Sequence, residues 1–317
     1  MLNAHIDDVR TFVSVVEAGS VSAAARELHL TQSAVTRRVQ RLERAIGADL
    51  IDRRHRPFTL TTTGVRAAEH CRRMLSDVNH LRALSAYGTN IAGEARLGVA
   101  HALTELALAQ SLDTVRLAWP TIEWRVRTGW SQDLIARVET GALDAACVLL
   151  PDDQRVPRGV RGDRLALEEI LVVAARADAD NLRTPHDLGT RGWIVNPEGC
   201  AARARVRRAL SRSGFPFHIS VEAYDYELQM ALVARGRGVG LVPRRLLERS
   251  RSRSQLAPVK VRGFAFPFAI WVVTPDAAGH LAKPLRAVRD ALVAELRGRE
   301  ASGGSQPTRG RTPAAVN

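Results

Sequence analysis

Apolar residues in the first sixty positions recur at intervals of three and four, the period of amphipathic helices. Val9, Phe12, Val13 and Val16 form one stripe. Gly19 follows it, and Ser20 is placed to cap a second, short helix in VSAAARELH. There Ala23, Ala24 and Ala25 let a neighbouring helix approach closely. After a break at His29 and Leu30, Thr31 is placed to cap a third helix, QSAVTRRVQRLERAIG. Its stripe is Val35, Val39, Leu42 and Ile46. The opposite face carries Ser33, Arg37, Gln40 and Arg44, flanked by Thr36 and Arg41. LIDRRHRPFTLTTTG then predicts two short strands around a basic turn.

Residues 63–87 predict one long helix. Ala67, Cys71, Met74, Val78 and Leu81 alternate four and three apart, the spacing of a coiled-coil seam. The stripe fits a dimerisation helix, or a helix lying on its own domain. From Ala95 the pattern changes to short strands alternating with helices. ARLGVA, TIEWRVRT, LDAACVLL, EILVVAA, GWIVN, ISVEA, GVGLVP and FAIWVVT predict strands, and the stretches after TIEWRVRT, GWIVN and ISVEA predict helices. This succession implies mainly parallel sheets covered by helices. A last helix is expected from about Ala282 to Arg297. The Gly-, Ser-, Pro- and Arg-rich remainder, 298–317, is expected to be disordered.

Composition narrows the class. A chain of 317 residues with 45% hydrophobic and 25% charged residues is globular and long enough for two or three domains. The net charge of +13 favours a polyanionic partner, DNA being the usual one. The same charge fits a GC-rich coding sequence, since the only lysines are Lys260 and Lys283. Asp7 and Asp8 stand where a signal peptide would be basic, and no apolar run approaches a membrane span. A cytoplasmic protein without a membrane partner is therefore expected. Cys71, Cys147 and Cys200 are too far apart for a CxxC metal or redox pair.

The third helix has what a major-groove helix needs: a buried stripe to anchor it and donors on the exposed face. Gln32, Ser33, Thr36 and Arg37 are the candidates for base edges, with Thr31 and Gln40 beside them. Arg41 and Arg44 lie further along, towards phosphate or solvent. In the turn, Arg53, Arg54, His55 and Arg56 are placed to meet the DNA backbone or minor groove. The run from DDVRTFVSVVEAGSVSAAARELHLTQSAVTRRVQRLE to the wing ending LTTTG resembles the N-terminal domain of LysR-type transcriptional regulators. Ser33 stands where that family often has proline, and Ile51 where it often has phenylalanine.

The resemblance extends over about residues 4–297 and implies an α+β multidomain chain. A winged helix-turn-helix DNA-binding domain would occupy 4–61 and a linker and dimerisation helix 62–90. The effector-binding domain would span 94–297 as two α/β lobes of the periplasmic-binding-protein type. Lobe one would be 94–163 with 268–297, lobe two 168–263, and the crossings would fall near 164–167 and 264–267. The resemblance further implies double-stranded DNA, a small-molecule effector in the cleft, a homodimer or homotetramer, and contact with RNA polymerase. Strand-to-helix turns supply candidate effector contacts: Thr128, Trp130 and Ser131 in RTGWSQ, and Pro197, Gly199, Cys200 and Ala201 in NPEGCAAR. Ser131 is placed to cap the following helix, and free helix N-termini suit an anion such as a carboxylate, an amino acid being the other effector considered. His101 and Thr104 replace the Ser/Thr-rich first turn common in the family. Tyr224 and Tyr226 would line the cleft or pack against it.

Three other readings compete. Cys200 sits where some LysR-type members sense oxidation, and the helix N-terminus with Arg203 and Arg205 would lower its pKa, which defines a thiol-based alternative. An α/β enzyme would need a motif. The sequence has no GxSxG elbow, P-loop, GxGxxG after a strand or HExxH, so no catalytic residue, metal or cofactor is expected. GRGVG at 236–240 precedes a strand and is a turn. A solute-binding protein alone would not need the N-terminal motif.

Overall fold

The computed structural model describes residues 5–54, 58–84, 91–104, 108–276 and 278–303. The N-terminal unit consists of α1 (Ile6–Ala18), α2 (Val21–Glu27), α3 (Gln32–Ile46) and a ribbon of β1 (Ile51–Asp52) and β2 (Thr59–Leu60). Gly19 ends α1 in the left-handed conformation, and the Ala23 N–H donates to Ser20 Oγ, capping α2. Val9, Phe12, Val13, Val35, Val39 and Leu42 form the core with Leu50 and Ile51. Val15 is fully buried there, whereas Val16, expected in the stripe, is half-buried. Both α2 and α4 pack on α1, which widens its covered face beyond one helical stripe.

The next helix, α4 (Thr62–Leu84), starts where the Gly64 N–H donates to Thr61 Oγ1 at 2.9 Å. Only glycine fits at 64, because a Cβ there would stand 1.9 Å from the Leu50 carbonyl oxygen. The expected seam divides. Cys71 is buried and Ala67 packs on the N-terminal core, so the first turns lie on their own domain. Met74 and Leu81 are 42% and 65% exposed.

The remaining strands, among the described residues, join in one nine-stranded sheet. They are β3 (Gly93–Ala100), β4 (Ile122–Gly129), β5 (Ala145–Pro151), β6 (Val160–Ala175), β7 (Trp193–Val195), β8 (Ile219–Glu222), β9 (Val239–Pro243), β10 (Leu256–Pro258) and β11 (Phe266–Pro275). The sheet is mixed rather than mainly parallel. Its order is β4-β3-β5-β11-β6-β9-β7-β8, with β10 also on β6. Parallel trios sit at the two ends, β4-β3-β5 and β9-β7-β8. The long strands β6 and β11 join them antiparallel, from Phe266 opposite Ile170 to Pro275 opposite Val160. Lobe one hangs on β11 through β5, and lobe two on β6 through β9 and β10. The expected crossing at 164–167 is the middle of β6, a strand that begins earlier than EILVVAA suggests.

The helices are α5 (Leu108–Ala118), α6 (Ser131–Glu139), α7 (Arg176–Ala179), α8 (Pro185–Gly189), α9 (Ala201–Arg212), α10 (Tyr226–Ala234), α11 (Arg244–Arg249) and α12 (Ala282–Gly303). Helix α12 runs past Arg297, so 298–303, expected in the tail, are helical. The rest of that tail, 304–317, lies outside the described residues.

Candidate nucleic-acid interface and ligand cleft

Helix α3 carries the first candidate site. Thr31 caps it, its Oγ1 accepting the Ala34 N–H at 3.2 Å, and Gly47 ends it in the left-handed conformation. With Val35, Val39 and Leu42 buried, Thr31, Gln32, Ser33, Arg37, Gln40 and Arg44 are exposed and Thr36 is half-buried. The expected reading face is thus assembled on one surface. Its side chains are braced locally. Thr36 Oγ1 donates to the Gln32 carbonyl at 2.9 Å, and Arg37 Nε to the Ser33 carbonyl at 3.3 Å.

The other candidate arginines are held by carboxylates. Arg41, expected to face phosphate or solvent, makes two bonds to the fully buried Asp8, Nη2–Oδ1 at 2.6 Å and Nε–Oδ2 at 3.1 Å. The bond to Asp8 holds its pKa above the ordinary value. Arg53 Nη2 donates to Glu43 Oε2 at 2.7 Å, and Arg54 Nη2 to Asp52 Oδ2 at 2.7 Å, with Arg54 still strongly exposed. Glu43 itself was not foreseen. It is buried, and its Oε1 accepts the N–H groups of Leu50 and Ile51, so one carboxylate fixes the wing to α3. The signal was present, since Glu43 follows Leu42 on the apolar side of the helix. His55 and Arg56 lie outside the described residues.

The second candidate site lies between the lobes. A cavity of about 40 Å³ is lined by Ala100, His101, Trp130, Ser131 and Leu149 of lobe one and by Gly199, Cys200, Ala201 and Tyr226 of lobe two, with Ile170 and Phe268 from the long strands at its floor. Six sequence candidates meet here: His101, Trp130, Ser131, Gly199, Cys200 and Ala201. Thr128 and Thr104 are not among the lining residues. Thr128 is exposed on β4, and Thr104 Oγ1 donates back to the His101 carbonyl at 2.8 Å. Pro197 is half-buried beside the cavity, and its carbonyl accepts the Cys200 N–H.

Ser131 does not cap α6. Trp130 is the cap residue and offers no side-chain bond, while Ser131 Oγ donates to the Leu149 carbonyl at 2.9 Å and accepts the Leu149 N–H at 3.1 Å. Cys200, at the cap of α9, makes no side-chain cap bond either. The first turns of two helices therefore reach the cleft without a capping side chain. Burial pushes the Cys200 thiol pKa up, against the lowering expected from the helix and the arginines. Arg203 is occupied elsewhere, with Glu222 at 2.7 Å and the Asn196 carbonyl at 3.2 Å. Arg205 pairs with Asp153 across the lobes. Tyr224, left open by the sequence, is brought to the cleft mouth. Asn196 Nδ2 donates to the carbonyls of Ala223 and Tyr224 at 3.2 Å, fixing the turn that carries it. Its ring lies 5.8 Å from Trp130 and 5.1 Å from His101.

Two family models match the chain. Residues 6–65 match the bacterial regulatory helix-turn-helix protein, lysR family, and residues 88–297 match the LysR substrate binding domain. The HTH-type transcriptional regulator YofA of Bacillus velezensis is 26% identical over 249 residues, 78% of this chain and 84% of that protein. The fold is similar to a full-length OxyR variant from Pseudomonas aeruginosa, at TM-score 0.70 and 16% identity over 92% of this chain and 98% of that one. It is also similar to full-length CbnR complexed with its target DNA, at TM-score 0.56 and 21% identity over 90% and 99%. With a helix-turn-helix at one end and a substrate-binding domain over most of the rest, the chain belongs to the LysR family of DNA-binding transcriptional regulators.

Proposed function

We propose that a small ligand held between His101, Trp130 and Ser131 of lobe one and Gly199, Cys200 and Ala201 of lobe two controls how pairs of α3 helices are set on double-stranded DNA. The observation that carries this reading is the cavity lined from both lobes around the long strands. A ligand there contacts both lobes at once, so its affinity depends on their separation. That differential affinity couples effector to DNA.

Among the described residues lining the cavity, none carries a carboxylate, a guanidinium or an ammonium. A carboxylate would meet main-chain N–H groups at the uncapped first turns of α6 and α9. Among those residues an ammonium meets no carboxylate, which favours a carboxylate without an amino group over an amino acid. On the DNA side, Gln32, Ser33, Thr36, Arg37 and Gln40 read bases, while Arg53 and Arg54 approach the backbone from the wing. Met74 and Leu81, exposed on α4, support self-association into a homodimer or homotetramer through this helix. Paired α3 helices would then meet half-sites about one helical turn apart. We place the regulator in the cytoplasm, in contact with RNA polymerase at its promoters.

Mobility shifts on DNA from around its own gene test the reading, with and without a screen of small carboxylates and amino acids. A coupled effector changes DNA affinity by about 5- to 150-fold. DNA binding that no compound in the screen alters would refute control through the cleft.

A further inference from the structure

We propose that the cleft selects a planar aromatic acid, held in a slot whose walls are Trp130 and Tyr224 and whose base is Gly199. The proposal rests on the cleft reading above and deepens it.

The mouth of the cleft is closed by rings from both lobes. Trp130 and Tyr224 stack at 5.8 Å between centroids with 24° between planes, and His101 packs against both, at 4.8 and 5.1 Å. Such stacked pairs recognise flat partners through dispersion and ring quadrupoles. Trp130 belongs to lobe one and Tyr224 to lobe two. Parting the lobes by the thickness of one ring, about 3.5 Å, turns their contact into a slot with two aromatic walls. A puckered ring of the same formula size is too thick for it.

Gly199, of lobe two, packs directly on Trp130 with no side chain between them. A Cβ at 199 would lie 2.4 Å from Trp130 Cδ1 and 2.6 Å from Nε1. The residue also sits at φ +97°, a conformation that favours glycine. Burial pushes the His101 pKa down, so its ring is neutral near pH 7. The walls thus offer flat, uncharged surface, and the uncapped helix turns deeper in the cleft offer N–H groups for one carboxylate.

The full-length protein is titrated with benzoate, indole-3-carboxylate and cyclohexanecarboxylate. The last carries the same charge on a puckered ring. Thermal shift and tryptophan fluorescence are the readouts. The two flat acids are expected to raise Tm and change the fluorescence at concentrations where cyclohexanecarboxylate does neither. Tyr224→Leu, at a position 56% exposed, removes one wall and is expected to weaken the flat acids by about 2- to 12-fold. An equal response to flat and puckered acids overturns the slot and leaves control through the cleft standing. Silence of the flat acids, or full binding by Tyr224→Leu, also overturns it. The wider screen then judges the cleft separately.

Discussion

The guanidinium of Arg41, on α3, grips the buried carboxylate of Asp8 on α1 through two bonds of 2.6 and 3.1 Å. The pair fixes α3 across the helix in front of it. We propose that Arg41 affects DNA binding through the placement of α3. Arg41→Ala and Asp8→Ala are both expected to lower Tm and to weaken binding to specific and unrelated DNA alike. Binding-site selection with the Arg41 variant checks this. A relaxed preference at one base pair would make Arg41 a reader instead.

Arg37 is the contrasting case. It is exposed, has no carboxylate partner among the described residues, and is steadied only by the Ser33 carbonyl. If it forks onto a guanine, Arg37→Ala costs about 1–3 kcal/mol on the specific site and relaxes one position. Footprinting and affinity on matched and mismatched sites measure both. An unchanged footprint would remove the role.

The wing depends on Glu43. Replacing it by alanine strands the N–H groups of Leu50 and Ile51 and frees Arg53. Each stranded buried group costs about 1–3 kcal/mol. Urea unfolding of Glu43→Ala is expected to show a loss in that range or above, and Glu43→Gln, which keeps one acceptor, a smaller one. Equal, negligible losses would mean the wing holds itself.

Much of this was legible in the sequence. Val35, Val39 and Leu42 at helical spacing predict α3 and therefore its exposed polar face, and Thr31 predicts its start. Short-range rules suffice where one stripe meets one core. What escaped depends on residues distant in the chain. Asp8 and Arg41 are 33 positions apart, and nothing in either helix shows that they meet. The mixed sheet was missed because strand direction is set by β6 and β11, whose pairing spans about a hundred residues. Thr128 was misplaced for a simpler reason. Thr128 is exposed on β4, while Trp130 lies past the end of that strand, at the cap of α6, where the strand's alternation no longer sets direction and its ring closes the cleft.

The hinge between the lobes contains a buried ion pair. Glu168, in the middle of β6, faces Arg245 of α11 at 2.9 Å, and Arg245 also reaches the carbonyls of Leu167 and Leu296. Burial pushes the Glu168 carboxyl pKa up, and Arg245 opposes that rise. Arg245→Ala leaves the carboxylate buried alone, at a cost of about 3–5 kcal/mol. The double replacement Glu168→Leu with Arg245→Leu is expected to recover most of the loss, because no charge is then stranded. Urea unfolding of the single and double variants decides it. A double variant as weak as Arg245→Ala would show that the guanidinium matters for its carbonyl contacts instead.

His101 makes the ring cluster sensitive to acid. Burial lowers its pKa in the folded protein from the ordinary value of 6.5. The unfolded chain takes up a proton near pH 6.5, but the folded chain only at lower pH. Stability from this group is therefore complete above about pH 6.5, and declines as pH falls towards the folded value. Eight other histidines also titrate, so a difference measurement is needed. Wild type and His101→Phe are melted across the range from about pH 8 to 5. The Tm difference is expected to be flat at the upper end and to move in favour of the phenylalanine variant below about pH 6.5. Tryptophan fluorescence should change over the same interval in wild type alone, as the charged imidazole loosens its contact with Trp130. Parallel melting curves at every pH would show that His101 is solvated enough in the folded state to titrate as it does unfolded.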